Sequence, residues 1–385
     1  MMKLQHQSRK TPLKHLLGAM AAATVLVTVP AVAARTQTKI DYLNAPFRQE
    51  RILDWGNRPN WSPDGRRIVF TKDDIIDGPA YEINVETRAV RCLTCKFDKA
   101  QFVTRIFYLP DDSFLIEASP GMTGGSGGGA DASRTELFWM SKDLATPVSL
   151  GTSAMGDIAI NRTAEPDGSV RIAWSAIKDN GLQLVTGKLS HDGKIASVGD
   201  VQGLYKFQAG KPGPISIAEA YEFVDGGKAV MFWTVEPDTL NGEMYKVDIA
   251  TKAISKVYAS PAHNETHTFP DERFGLEESN LLSDPDGPYR GASGLGKGGL
   301  GFFMQMKGVP QAAQAAAANA DKGFDLAVVT MDGKSRRQLT KLGAQGGQAH
   351  QSIASPDGRR IAYAVKDPEG KSGQPVGLYI GTFDR

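Results

Sequence analysis

Two ten-residue stretches near the ends of the chain constrain its fold more than any other feature: Trp61-Ser62-Pro63-Asp64-Gly65-Arg66-Arg67-Ile68-Val69-Phe70 and Ala354-Ser355-Pro356-Asp357-Gly358-Arg359-Arg360-Ile361-Ala362-Tyr363. Each reads as a strand end, a turn, and a strand with apolar alternation. Proline fixes φ at the first central turn position, aspartate caps the turn through its own backbone, and glycine takes the positive φ. Such a hairpin written twice points to a repeat, and a repeat governs the whole fold.

Weaker copies lie between them. Pro110-Asp111-Asp112 precedes Phe114-Leu115-Ile116, and Pro166-Asp167-Gly168 precedes Val170-Arg171-Ile172-Ala173-Trp174. Asp225-Gly226-Gly227 precedes Ala229-Val230-Met231-Phe232-Trp233, and Pro270-Asp271 precedes Phe274-Gly275-Leu276. The turn aspartates Asp64, Asp111, Asp167, Asp225, Asp271 and Asp357 are mostly 46 to 58 residues apart. That interval suits a four-stranded propeller blade with variable loops. Third and fourth strands recur too: Tyr81–Val85 leads into Val90–Thr94, Met244–Asp248 into Ala253–Val257, and Leu326–Val329 into Arg337–Thr340. The chain is therefore expected to be all-β, a propeller of six blades, with a seventh as the alternative. Its 42 Gly and 21 Pro supply the turns this requires.

The last unit stops at its third strand, Leu378–Phe383, which would leave a bare sheet edge and an open ring. The segment from about Lys39 to Leu53 has strand-like stretches and no turn partner, so it is expected to supply the missing outer strand. Two intervals fit no strand. Gly121–Ala132 is nearly all Gly, Ser and Ala, and residues 281–323 combine a Gly-rich piece with an Ala-rich one at Gln311–Ala320. The second reads as an inserted loop with one short helix, or as the damaged remains of a seventh blade.

The N-terminus reads as an export address. Lys3, Arg9, Lys10 and Lys14 precede an apolar run from Leu16 to Val29 and then Ala31-Val32-Ala33. This is a signal-peptide pattern with cleavage after Ala33, and the run is too short for a membrane span. Expected divisions are 1–33 for the signal peptide, 34–57 for the closing segment and 58–385 for the propeller. Removing the four basic residues of that peptide from the 44 in the chain leaves 40 against 43 acidic ones, a net charge of −3. A nucleic-acid binder needs the opposite balance. With no further long apolar run, the mature chain is expected to be periplasmic or secreted.

The Ser-Pro-Asp-Gly units resemble the WD40-like propeller repeat of the TolB-like periplasmic family and of related sensor and peptidase propellers, over residues 58–385. The resemblance implies a propeller with a narrow central channel, lined by the innermost strand of each blade. It implies function poorly, because propellers host many unrelated activities. TolB carries an α/β domain ahead of its propeller, where about 25 residues lie here, and prolyl-oligopeptidase relatives carry a hydrolase domain after it.

Chemistry-bearing residues are sparse. Gly124-Gly125-Ser126-Gly127-Gly128 matches a nucleophile elbow only through glycine composition, since the required strand and helix are missing. Cys92 and Cys95 lie at a strand end and are expected to form a local disulfide in an oxidising compartment. His191 sits in a His-Asp-Gly turn and is expected in solvent. His263, His267 and His350 fall just upstream of the fifth and sixth turns, where with Glu265 they could meet a divalent metal at a channel mouth. Oligogalacturonate lyases are propellers that offer a precedent. Aligning the units on their turns yields a further set: five residues before each turn proline, or Val224, stand Arg58, Arg105, Asn161, Glu219, Glu265 and Gln351. All are polar, with a basic pair facing an acidic pair across the channel, as suits a zwitterionic or sugar-acid ligand. The expected function is a non-catalytic scaffold for a protein partner or small polar ligand, without a cofactor. The competing expectation is a metal-dependent lyase or hydrolase acting on a saccharide.

Overall fold

In the computed structural model the residues described are 40–72, 78–97, 102–119, 135–178, 181–206, 215–235, 242–260, 264–279, 323, 325–343, 347–366 and 375–384. Among them there is no α-helix, and the strands form six antiparallel four-stranded sheets. Blade 1 is β2 (Asn57–Trp61), β3 (Arg67–Thr71), β4 (Ala80–Asn84) and β5 (Val90–Cys92) after an initial strand β1 (Phe47–Leu53). Blade 2 is β6 (Phe102–Tyr108), β7 (Phe114–Ser119), β8 (Glu136–Met140) and β9 (Val148–Ser149). Blade 3 is β10 (Met155–Ile160), β11 (Val170–Lys178), β12 (Gly181–His191) and β13 (Ala196–Lys206). Blade 4 is β14 (Ile215–Val224), β15 (Ala229–Val235), β16 (Gly242–Asp248) and β17 (Ile254–Lys256). Blade 5 is β18 (Asn264–Thr268), β19 (Phe274–Ser279), β20 (Asp325–Thr330) and β21 (Arg336–Gln338). Blade 6 is β22 (Gln348–Ala354), β23 (Arg360–Lys366), β24 (Pro375–Phe383) and, from the other end of the chain, β1.

The expected closure holds. β1 pairs antiparallel with β24 from Phe47↔Phe383 to Arg51↔Tyr379, so the ring is sealed by its own N-terminal strand. The seventh-blade alternative falls away. Ser279 and Asp325 are register partners, so residues 280–324 connect the second and third strands of blade 5. Their own structure, including the expected short helix, lies outside the described residues, as do the signal peptide and Gly121–Ala132.

The first and last hairpins repeat bond for bond. Ser62 Oγ donates to Asp64 Oδ1 at 2.6 Å, Arg66 N–H to the same oxygen at 3.0 Å, and Arg67 N–H to Ser62 Oγ at 2.9 Å. In blade 6 the corresponding bonds from Ser355, Arg359 and Arg360 measure 2.6, 3.1 and 3.0 Å. Gly65 and Gly358 sit at φ +68° and +70°, where other L residues are strained. Blades 2 and 5 lack the glycine, and Asp112 and Glu272 take the left-handed position instead (φ +69° and +53°).

Alternating apolar residues fill the wedges between adjacent sheets. One cluster joins blades 6 and 1 through Ile68, Phe70, Ala362 and Leu378, and another joins blades 2 and 3 through Leu115, Trp139, Ile172 and Trp174. The antiparallel meander sorts the connections by face. First-to-second and third-to-fourth hairpins emerge on one face. The strand ends that lead into second-to-third and blade-to-blade connections lie on the other.

Candidate functional site

The innermost strands β2, β6, β10, β14, β18 and β22 surround the channel. In five of them the register against the second strand breaks: at Asn57/Asn60, Val103/Arg105, Met155/Ala159, Ile215/Glu219 with Ala220/Glu222, and His350/Ile353. Such a bulge adds a residue and re-aims its side chain. In β2 and β22 it leaves Arg58 at φ +53° and Gln351 at φ +54°, a conformation that costs a non-glycine residue roughly 1–2 kcal/mol.

Both residues line a cavity of about 230 Å³ that opens on the hairpin face, where Pro63, Pro110 and Pro356 form its rim. Arg105, Asp157, Tyr221 and Ser352 also line it. The buried guanidinium of Arg105 pairs with Asp157. Burial alone would lower the Arg105 pKa, but the Asp157 charge and hydrogen bond outweigh it, and the protonated form is held firmly. On the cavity's other side Arg162 Nη2 lies 2.9 Å from each Glu222 oxygen, and His267 Nδ1 lies 3.2 Å from Glu222 Oε1. Burial would raise the Glu222 pKa, yet Arg162 and the His267 hydrogen bond bring it below the usual carboxylate range.

An acidic layer adjoins these residues. Burial pushes Glu117 up to about 7, although the Arg105 charge opposes the shift. Glu219 is pushed up to about 8 by burial and then by Asp157, and Glu278 to about 8 by burial and then by Glu265. His350 goes the other way, to about 4, because burial disfavours its charged form more than Glu265 favours it. Tyr221 donates from its hydroxyl to Glu265 Oε2 at 2.9 Å.

Of the six aligned polar positions, Arg58, Arg105 and Gln351 line the cavity, and Glu219 and Glu265 belong to the acidic layer. Asn161 lies elsewhere. It lines a second cavity, about 650 Å³, among the hairpins of blades 3 to 5, against the backbone of Gly227. His267 is in the wall of the first cavity, His350 is buried, and His263 lies outside the described residues. Among the described residues no three His, Cys, Asp or Glu side chains are arranged to hold a metal ion. Cys92 and Cys95 are joined by a disulfide. His191 is half-buried rather than solvated, stacked on Trp139 at 4.6 Å and 3.0 Å from Asp111 Oδ2. Sequence alignment on the turns missed Glu117, Asp157, Tyr221, Arg162, Glu222 and Glu278. Glu117 and Glu278 carried a signal, as carboxylates inside the otherwise largely apolar second strands of their blades.

No protein-family model and no curated protein matches the chain. Solved structures do resemble it. A gluconolactonase from Xanthomonas campestris is 10% identical with a TM-score of 0.52, over 89% of this chain and 91% of that one. A putative TolB from Agrobacterium tumefaciens is 14% identical with a TM-score of 0.45, over 75% and 78%. An oligogalacturonate lyase in complex with manganese is 11% identical with a TM-score of 0.46, over 86% and 78%. At such identities a likeness is one of fold, which different activities share. With six closed sheets and a channel through their innermost strands, the chain is a six-bladed β-propeller.

Proposed function

We propose that this propeller is an exported binding scaffold that takes a small polar ligand, or the end of a partner's chain, in the cavity on its hairpin face. The observation carrying this reading is the pair Arg58 and Gln351, both left-handed, at equivalent positions of adjacent blades, and both in the cavity wall. Backbone strain of this kind clusters where side chains must be held for function. Arg58, Arg105 and Arg162 outnumber the two carboxylates of the lining, Asp157 and Glu222, which pair with Arg105 and Arg162, so an anionic group of the ligand belongs on the side of Arg58.

N-acetyl-alanyl-alanine, which has a carboxylate, and its neutral methylamide test this by calorimetric titration of protein expressed from the full chain. The carboxylate is expected to bind at least tenfold more tightly, and Arg58→Ala to abolish the difference. Arg105→Ala would be a poor test, because it strands Asp157 as a buried unpaired charge at about 3–5 kcal/mol. An unchanged preference in Arg58→Ala would move the site away from this cavity. The competing reading, a metal-dependent lyase or hydrolase, needs His267 and His350 on one ion. His267 instead meets Glu222, whereas Glu265 acts on His350. One equivalent of bound transition metal lost in His350→Ala would favour that reading.

A further inference from the structure

Most polar groups in the wall of the channel cavity already have protein partners. Arg105 pairs with Asp157 and Arg162 with Glu222, and the hydroxyls of Tyr221 and Ser352 donate to carboxylates outside the lining. Three further side chains of the lining keep polar atoms with no hydrogen-bond partner among the described residues: Asn60 at Nδ2, Gln351 at its amide and His267 at Nε2. Asn60 offers a donor there, and the Gln351 amide can turn either way. For His267 the surrounding contacts decide the role.

Glu222 is buried, and both of its oxygens lie 2.9 Å from Arg162 Nη2. Oε2 also accepts from Thr268 Oγ1 at 3.2 Å. Held ionised against its burial by Arg162 and His267, this carboxylate has no proton to give. The 3.2 Å contact between His267 Nδ1 and Glu222 Oε1 is therefore donated by Nδ1. A neutral imidazole carries a single N–H, so fixing it at Nδ1 leaves Nε2 an acceptor. The ring is held from its side as well, tilted against Tyr221 at 4.7 Å between centroids. Nε2 is not sealed off, since the side chain is 17% exposed and stands in the cavity wall.

We infer that His267 accepts a hydrogen bond at Nε2 from a neutral O–H or N–H group of the ligand, so that the ligand is an acid carrying such a donor. This rests on the reading of the cavity as the ligand site, with the acid on the side of Arg58. Arg58 and Asn60 stand on β2 of blade 1 and His267 on β18 of blade 5, with blade 6 between them. Donors at blade 1 and an acceptor at blade 5 give the occupant a direction. At about 230 Å³ the cavity is smaller than the roughly 300–1,000 Å³ of sites for drug-sized ligands, so both ends belong to one residue or one ring. A cationic donor is disfavoured, because Arg162 already meets the Glu222 charge and Arg58 and Arg105 share the lining. A sugar acid and the acylated last residue of a chain both present this chemistry.

Calorimetric titration of protein expressed from the full chain, with chelator present to keep metal out, tests the contact. Two probes are acids with donors: N-acetyl-alanyl-alanine, which has N–H groups, and glucuronate, which has hydroxyls. Each has a counterpart that keeps the carboxylate and lacks the donors. These are the same peptide methylated on both amide nitrogens, and tetrahydropyran-2-carboxylate. At least one donor-bearing acid is expected to bind about tenfold or more above its counterpart, because an acceptor covered and left unmet costs about that much in affinity. Which one does so identifies the donor as N–H or O–H. In His267→Phe, which keeps a ring against Tyr221 and removes both nitrogens, that ratio is expected to fall to within about threefold. Glu222 retains Arg162 and Thr268, so the variant strands no charge, and His267→Ala is the second variant should phenylalanine not fit. Wild type that binds the donor-bearing acids no better than their counterparts overturns the inference, as does a ratio that survives in the variants. Should all the acids bind alike and still depend on Arg58, only the His267 contact fails. Should none of them bind, the cavity itself is not the ligand site.

Discussion

Three buried glutamates set how this protein should respond to pH. Glu117, Glu219 and Glu278 are pushed from 4.5 to about 7, 8 and 8, chiefly by burial. The folded state therefore holds protons that the unfolded chain releases. Their contribution to stability is full below about pH 4.5 and is lost as pH rises towards 7 and 8, by about 1.4 kcal/mol per pH unit for each proton. His350, depressed from 6.5 to about 4, acts in the opposite sense, and its contribution is lost as pH falls below 6.5. Lys366, which burial lowers to about 8, also opposes the glutamates but only above that pH. Three groups against one thus give the direction below it: urea midpoints should fall from pH 5.5 to 8, and Glu117→Gln/Glu219→Gln/Glu278→Gln should flatten the trend. A midpoint that rises over that range would contradict the burial of these carboxylates. The chain showed only that Glu117 and Glu278 stand inside second strands of their blades; their raised pKa values come from burial that the packing of the blades imposes.

At the scale of the element, one hairpin appears twice with different surroundings. A Cβ on Gly65 would meet nothing closer than the flexible end of Arg360 at 3.4 Å, whereas one on Gly358 would lie 2.5 Å from Tyr42 Oη. Tyr42 has little freedom to yield, stacked on Phe269 at 3.9 Å and edge-on to Phe383 at 5.0 Å. Gly65→Ala is expected to lose about 1 kcal/mol for its positive φ. Gly358→Ala should lose at least about twice that, and Tyr42→Phe should bring the two closer, as read from denaturant midpoints. Equal losses in the two blades would show that Tyr42 does not rest on the turn. The turn itself was legible because every bond in it joins residues within five positions of each other. Its neighbour Tyr42 was not, because it arrives from over 300 residues away.

Ring closure belongs to the whole molecule. β1 covers the outer edge of β24, and Gln49 ties it inward, accepting from Tyr363 Oη at 2.6 Å and donating to the Leu339 carbonyl of blade 5 at 3.0 Å. Arg337 Nη1 donates to the carbonyls of Tyr42 and Ala45 at 3.0 and 2.5 Å, which pins the approach to β1 against blade 5. A chain without residues 40–53 would expose the β24 edge and lose these ties. It is expected to aggregate, or to unfold in more than one step when followed by fluorescence and circular dichroism together. A single transition at the full chain's midpoint would mean that the other five blades and the rest of the sixth suffice.

The hairpins and the identity of the closing strand were determined by the sequence itself, while the choice of six blades over seven came from the pairing of Ser279 with Asp325 across the long insertion. Proline, aspartate and glycine act on their own backbone, and strand alternation repeats with a fixed period, so local chemistry written six times specifies the sheets. The same period even located one member of the site in most blades, five residues before the turn. Which polar residues meet was decided by tertiary structure alone. In blade 3 the register break comes early, between Met155 and Ala159, and Asn161 lies beyond the end of its strand, against Gly227 instead of in the channel cavity. Asp157, inside that break, reaches Arg105. A bulge one residue earlier or later exchanges the faces of a strand, and the partners it selects come from other blades. Only closure of the ring brings those strands within reach of one another.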